Sequence, residues 1–348
     1  MDNLENTLKE TTLTDTADHV YYNISITRGE EENKMAVFSE NRTVPILDKG
    51  DNYDLAVVRF DIPTINIPIF IWRYNEWYIS ITYKTSTFTR EIPFIPNKNL
   101  ATAPKYFGDA IWHYQDYVDC INLCYKQLFA DFQADPIYLT IPIADRPTEP
   151  PKMTYDAVNK RCSIYYPLEY DITKPNPIYV YYNTLMFEIF PAFQNYGDER
   201  DPILSHYLIV KDNYNNKVNV SGTDYYKITE EWNELFLWND FQKIIFETDK
   251  IPVTNEYIAG QKNITRKVLT DFIPQSSIND QSNIQYYPTG TLRFYSMYSA
   301  QEVREIDIRV FWETKDGLVI PLLISGDDRL TMKIYFKKKG QMIDGTFF

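Results

Sequence analysis

The chain has 348 residues and a mass of 41.2 kDa, with 44% hydrophobic and 24% charged side chains; that is enough apolar material for one large core or two modest ones, and it excludes a disordered protein. Thirty-five basic against 48 acidic residues leave a net charge of −13, which makes nucleic acid held by counterion release a poor match for a partner. With 29 Tyr, 20 Phe and 6 Trp beside only 11 Gly, the composition favours pleated strands and counts against the glycine-dependent phosphate turns of doubly wound nucleotide-binding folds.

Residues 1–17 are polar, acidic and Thr-rich and read as a flexible N-terminal arm, without the basic and then apolar stretch of a secretory signal. From His19 the pattern alternates: Val20, Tyr22, Ile24 and Ile26 predict a strand, and after a polar run Met35 to Phe38 predicts a second, in a hairpin-like start. Strands follow at Tyr53–Ile62, Ile65–Trp72 and Trp77–Tyr83, with Pro63 and Pro68 marking an edge or a bend. From about Pro104 to about Gln133, apolar residues at spacings of three and four, Phe107 through Phe132, predict an amphipathic helix ended by Pro136.

The Pro- and Tyr-rich middle predicts strands at Cys162–Tyr166, Ile178–Tyr182 and Tyr207–Val210, and a short helix before Pro191. In the last third, strands are predicted at Phe241–Phe246, Thr291–Met297, Glu305–Trp312, Leu318–Ile324 and Leu330–Phe336. The last three form a meander through the turns Glu313–Gly317 and Ser325–Arg329. The fold class read from this pattern is mainly β: an antiparallel β-sandwich of jelly-roll type with one inserted amphipathic helix and an insertion domain. Its expected parts are the arm (1–17), the first part of the jelly roll (18–103), a helix plus inserted β-rich region (104–240), the C-terminal strands (241–340) and a flexible tail (341–348). No run approaches the roughly 18 apolar residues of a membrane span.

Chemistry-bearing motifs are sparse. Cys120, Cys124 and Cys162 are too few for a disulfide framework and read as buried small hydrophobes, and with His113 they do not match a zinc spacing. His19 and His206 stand in no catalytic motif. The acidic stretches Gly197–Asp201 and Asp327–Asp328 read as solvated turns, and no cofactor or metal set is assigned. Sequons at Asn23, Asn41, Asn219 and Asn263 read as chance matches. Trp72, Trp77, Trp232, Trp238 and Trp312 are available for sugar stacking, but most of them are expected in the core or at subunit contacts. Lys337–Lys339, extending from Lys333, is the single local basic patch, read first as a charged strand end that discourages edge pairing and otherwise as a contact for nucleic acid or an acidic neighbour. The chain closes on Phe347 and Phe348 after a polar link, either a partner-docking tip or a segment folded on its own domain.

Several segments taken together resemble jelly-roll minor capsid, or penton-type, proteins of small DNA viruses such as Polinton-like viruses, adintoviruses and virophages. They are Asn41–Leu47, Tyr53–Phe60 and Ile67–Phe70 near the start, Leu237–Phe246 and Ile251–Glu256 later, and Asp307–Trp312, Gly317–Leu322 and Leu330–Lys338 at the end. The resemblance implies a structural virion protein without catalytic residues. It also implies a homo-pentamer at the fivefold vertices among major capsid proteins, assembled in the host cytoplasm or nucleus. A projecting middle region implies a host receptor or glycan as a further partner, whereas a second sandwich there implies a major capsid protein. Two other classes stay open on the residues alone: a receptor- or carbohydrate-binding β-sandwich attachment module, and a hydrolase on a sandwich scaffold.

Overall fold

The computed structural model describes residues 18–27, 34–72, 77–95, 109–198, 206–209, 216–257, 265–274, 282–288, 290–324 and 327–340. The chain divides into two compact units, one formed by the two ends of the sequence (1–66 with 242–348) and one by the continuous stretch 67–241.

The first unit is a sandwich of eight strands: β1 (His19–Thr27), β2 (Val37–Asn41), β3 (Tyr53–Pro63), β4 (Phe241–Glu247), β5 (Val268–Phe272), β6 (Asn283–Tyr286), β7 (Glu305–Thr314) and β8 (Arg329–Lys338). One antiparallel sheet runs β1-β8-β3-β6; in the other, β5-β4-β7, β7 also pairs with β2 and with the short strand Val319–Pro321. Neighbours drawn alternately from the start and the end of the chain are the strand order of a jelly roll.

Alternation explains why these segments lie where they do. On β1, Tyr22, Ile24 and Ile26 are buried while Tyr21, Asn23 and Thr27 are exposed; β8 buries Leu330, Met332, Ile334 and Phe336, and β7 buries Ile306, Ile308, Val310 and Trp312. The inner faces meet: the Phe60 ring on β3 stands 4.7 Å from Phe246 and 5.4 Å from Phe272 on the opposite sheet. The Tyr22 hydroxyl donates to the Glu40 carboxylate on β2, and burial together with that acceptor pushes the phenol up to about 12. Buried Asp307 accepts from the Thr248 hydroxyl and from the backbone N–H of Asp249 and Lys250, which fixes the turn leaving β4.

Two expected local pairings are not formed. The hairpin-like start is absent, because β1 pairs with β8 and β2 with β7, in opposite sheets. The C-terminal meander stops after its first turn, where Gly317 at φ +82° closes the link from β7 to Val319–Pro321. β8 then crosses to the other sheet between β1 and β3. In both cases the apolar side of the strand is buried by pairing with a distant segment, and that overrides the short connection.

The second unit leaves β3 after Pro63 and returns at β4. Its two ends are tied: the Asp240 N–H donates to the Ile69 carbonyl at 2.9 Å, and the Asp240 carboxylate accepts from Ile71 N–H at 3.4 Å. A loop whose ends are held side by side accommodates a whole folded unit without straining the host sheet. Strands Tyr78–Tyr83 and Ser86–Glu91 pair within this unit, so the compact insertion begins at Ile67 rather than at 104.

Its centre is α1 (Tyr114–Ala134), which lies against strands 78–83 and 86–91 of a five-stranded sheet and against 152–156 of a four-stranded one. The helix starts later than its periodicity predicts. Residues 104–108 lie outside the described residues, and Asp109–Ile111 pairs as a strand with Phe70–Trp72, so backbone pairing at Ile111 overrides its helical spacing. At the other end the Asp135 carboxylate accepts from Ile137 N–H and Pro136 opens the short α2 (Pro136–Leu139). The predicted short helix is α3 (Thr184–Ile189), capped by Asn183, and α4 (Leu235–Trp238) precedes β4. Helix between sheets, rather than sheet on sheet, sets this unit apart from a second jelly roll.

Candidate interaction surfaces

Phe347 and Phe348, the docking tip expected from the sequence, lie outside the described residues, as does the arm 1–17. The three cysteines are free and buried. Burial pushes the Cys120 thiol up to about 11 and the Cys124 thiol up to about 12, and raises Cys162 further, so all three stay protonated and unreactive. Among the described residues, no group of three or more His, Cys, Asp or Glu side chains is arranged to hold a metal ion. Of the five candidate tryptophans among the chain's six, Trp77, Trp238 and Trp312 are buried, Trp72 packs edge-on against Trp77 at 4.8 Å, and Trp232 is 47% exposed. A stacking platform of several tryptophans is therefore not assembled among the described residues.

Sequence reasoning missed a pair of carboxyls inside the insertion. Glu230 and Glu234 are 1% and 0% exposed. Each pins a backbone N–H with one oxygen, Glu230 that of Cys162 at 2.7 Å and Glu234 that of Ala192 at 2.6 Å. The two carboxyls interact with each other, and their remaining Oε1 atoms are buried without a hydrogen-bond partner, an arrangement that favours a proton held between them. Burial first, and for Glu234 the charge of Glu230 next, holds both carboxyls above their ordinary range. The sequence signal was only two acids four apart, which any exposed turn also carries.

The structure sets aside the edge-guarding reading of the basic patch. β8 is internal, flanked by β1 and β3, so its lysines guard no edge. Lys338 and Lys339 reach Asp18 and Asp54 at 3.9 and 4.0 Å. Lys333 and Lys337 instead lie on the outward face of the sheet, where the register sets Asn23, Lys333 and Arg59 in one row and His19, Lys337 and Asp54 in another. Between those rows Tyr21 stacks on Tyr335 at 4.7 Å, with the Lys333 ammonium 4.5 Å above the Tyr21 ring. Among the described residues Arg59, Lys333 and Lys337 make no ion pair, and Arg329 at the end of the same face donates to the Ser25 hydroxyl. The other sheet treats its cations oppositely: Lys243 reaches Asp271 and Glu313, Arg266 reaches Glu247, Arg309 reaches Asp249, and Lys250 reaches Glu305.

Comparison with known proteins accounts for this architecture. The model of the family described as Sputnik minor capsid protein V18/19 matches residues 20–338. The chain belongs to this family. As a minor capsid protein it is a structural component of the virion. It is 28% identical over 146 residues to the uncharacterized protein V18 of Sputnik virophage, a match that covers 34% of this chain and 86% of that protein. A chain of the Sputnik virophage structure determined by cryo-electron microscopy superposes with a TM-score of 0.76 at 23% identity, over 93% of this minor capsid protein and 98% of that chain. The crystal structure of the mavirus penton protein superposes with a TM-score of 0.66 at 17% identity, over 92% and 99% of the two chains. Both structures share the fold across the sandwich and the insertion alike.

Proposed function

We propose that this minor capsid protein builds the vertex capsomer of an icosahedral shell, as a closed homo-pentamer set among major capsid proteins. The observation that carries the reading is the strand order of one jelly roll per chain, β1-β8-β3-β6 against β5-β4-β7-β2, with the intervening unit organised around a helix instead of a second jelly roll. A single sandwich with two outward sheet faces suits a ring, and the mavirus penton protein supports the same position by analogy of fold. The role is mechanical and calls for no catalytic residue. The segment 341–348 supports the reading from sequence alone, since Phe347 and Phe348 on a polar link suit a pocket on a neighbouring capsid protein. The insertion is the surface we assign to any host receptor or glycan.

Imaging of intact particles labelled with an antibody fragment against the insertion tests the position. Label confined to the fivefold vertices supports the proposal, and label spread over the facets contradicts it. Deleting residues 341–348 should leave the fold and melting temperature intact while lowering incorporation into particles. A truncated chain that melts far lower would show instead that the tail packs on its own core.

A further inference from the structure

The insertion contains a cavity of about 650 Å³, within the size range of small-molecule sites. Its walls are the exposed side of α1, the loop 149–151 and one face of the four-stranded sheet. Helical spacing brings Asp119, Leu123 and Lys126 to one side of α1. Strand register sets Lys152, Tyr165 and Lys227 in a row across the sheet, and Tyr225, two residues before Lys227, shares that face. Tyr165 and Tyr225 meet edge to face at 6.2 Å, and the Tyr225 hydroxyl donates to Glu149 Oε2 at 2.7 Å, which holds the Tyr225 ring at the cavity wall.

The groups left over define a ligand. The Lys126 and Lys152 ammoniums are exposed and have no ion pair or hydrogen bond among the described residues, so an anion is the partner they lack. Two carboxylates line the same cavity, each half used: Asp119 accepts from the Gln115 amide at 2.8 Å and Glu149 from Tyr225. Their second oxygens are acceptors for hydroxyls. The tyrosine rings carry negatively polarised faces, against which the C–H side of a pyranose packs. A fatty acid brings no donor to the two carboxylates, and an acidic peptide sets further carboxylates against them.

We propose that this cavity binds an acidic sugar residue of a host-surface glycan, its carboxylate or sulfate held by Lys126 and Lys152, its hydroxyls on Asp119 and Glu149, and its ring against the tyrosines. This rests on the reading of the insertion as the attachment surface and names its ligand class.

Saturation-transfer NMR titration of the full chain tests it with glucuronic acid, N-acetylneuraminic acid and galactose 6-sulfate, and with galactose as the neutral control. The acidic sugars should bind and galactose should not; the carboxylate and sulfate probes tell the two sources of the anion apart. Lys126→Ala/Lys152→Ala should weaken binding at least about tenfold, through the loss of charge-assisted hydrogen bonds. Its melting temperature should not change, because both side chains are exposed. Val220→Trp, at an exposed position lining the cavity, should block binding without altering any charge. Galactose bound as tightly as the acids, triglutamate bound as tightly as the sugars, or acidic sugars bound equally well by both variants would each overturn the inference. So would a full chain that binds none of the sugars. Attachment of particles to host cells separates the inference from the reading beneath it. If particles carrying the lysine variant attach normally while an antibody fragment against the insertion blocks attachment, the inference fails and the attachment reading stands. Attachment that ignores the antibody fragment sinks both.

Discussion

The sandwich and the insertion bury an aromatic-rich sequence in opposite ways. In the sandwich, His19–Thr27 pairs with Arg329–Lys337 and Tyr53–Pro63 lies on the far side of the same partner. In that sheet every pairing of β1-β8-β3-β6 therefore joins the two ends of the chain, and the core between the sheets is mainly aliphatic and phenylalanine side chains. In the insertion the partners lie within the one continuous stretch 67–241, as Tyr78–Tyr83 with Ile178–Asn183, and the core holds polar atoms. Tyr117, Tyr125, Tyr166, Tyr170 and Tyr182 are all buried, the Tyr125 and Tyr182 hydroxyls meet at 2.6 Å, and burial drives these phenols well above their ordinary range. The Asn122 amide completes the backbone of Met153 in both directions, at 2.8 Å each. A sandwich of distant strands depends on shape and hydrophobic burial, whereas the insertion is specified by hydrogen bonds that only one arrangement satisfies. Because long-range pairing carries the larger loop-closure cost, the insertion is expected to order first and the sandwich to close around its tied ends.

The strongest way to break that comparison is Trp312→Ala. Trp312 is fully buried on β7, and its loss should cost about 3–5 kcal/mol. Hydrogen exchange should show loss of protection across β1, β3, β7 and β8 while the amides of α1 keep theirs. Loss of both together would mean that the two units are one cooperative block. Next comes Glu234→Ala, which leaves the Ala192 N–H and the Glu230 carboxyl without their partner, a cost of about 1–3 kcal/mol confined to the insertion.

The same pair sets a pH dependence. Both carboxyls are raised from an ordinary value of 4.5, so above that value the unfolded chain gives up protons that the folded insertion keeps. The stability of the insertion is therefore greatest below the ordinary carboxyl range and falls as pH rises into the alkaline range. Glu234→Gln, which donates without a titrating proton, should flatten this decline in thermal melting curves. Parallel curves for the two proteins would refute the shared proton. Tyr125→Phe should cost about 1 kcal/mol by removing one buried hydroxyl from its partner. The smallest effect belongs to Arg90→Ala: its paired bonds to Asp131 at 2.8 and 3.0 Å lie at a half-exposed site, and their loss should register below about 1 kcal/mol in denaturant unfolding.

Strand positions were legible in the sequence wherever residues alternate, as at Tyr22, Ile24 and Ile26 or at Leu330, Met332 and Ile334, because period two records a buried face directly. Partners were not. Nothing local in His19–Thr27 points to Arg329, and the short connections after Thr27 and after Gly317 argue for neighbours that the sheets do not use. The start of α1 was misplaced because Ile111 fits the helical spacing while its backbone belongs to a strand. The basic residues of β8 were visible as a run, but that Lys333 and Lys337 lie over the Tyr21 and Phe294 rings while Lys338 and Lys339 turn to carboxylates depends on register, which sequence does not carry. The buried Glu230 and Glu234 were hidden for the opposite reason: acids are rarely buried, so the sequence prior placed them in solvent.

The central claim is that one jelly roll per chain makes a ring, and native mass spectrometry of the full protein tests it most directly. The account predicts a closed assembly at five times the 41.2 kDa chain mass. A twofold dimer, or a trimer, would contradict it.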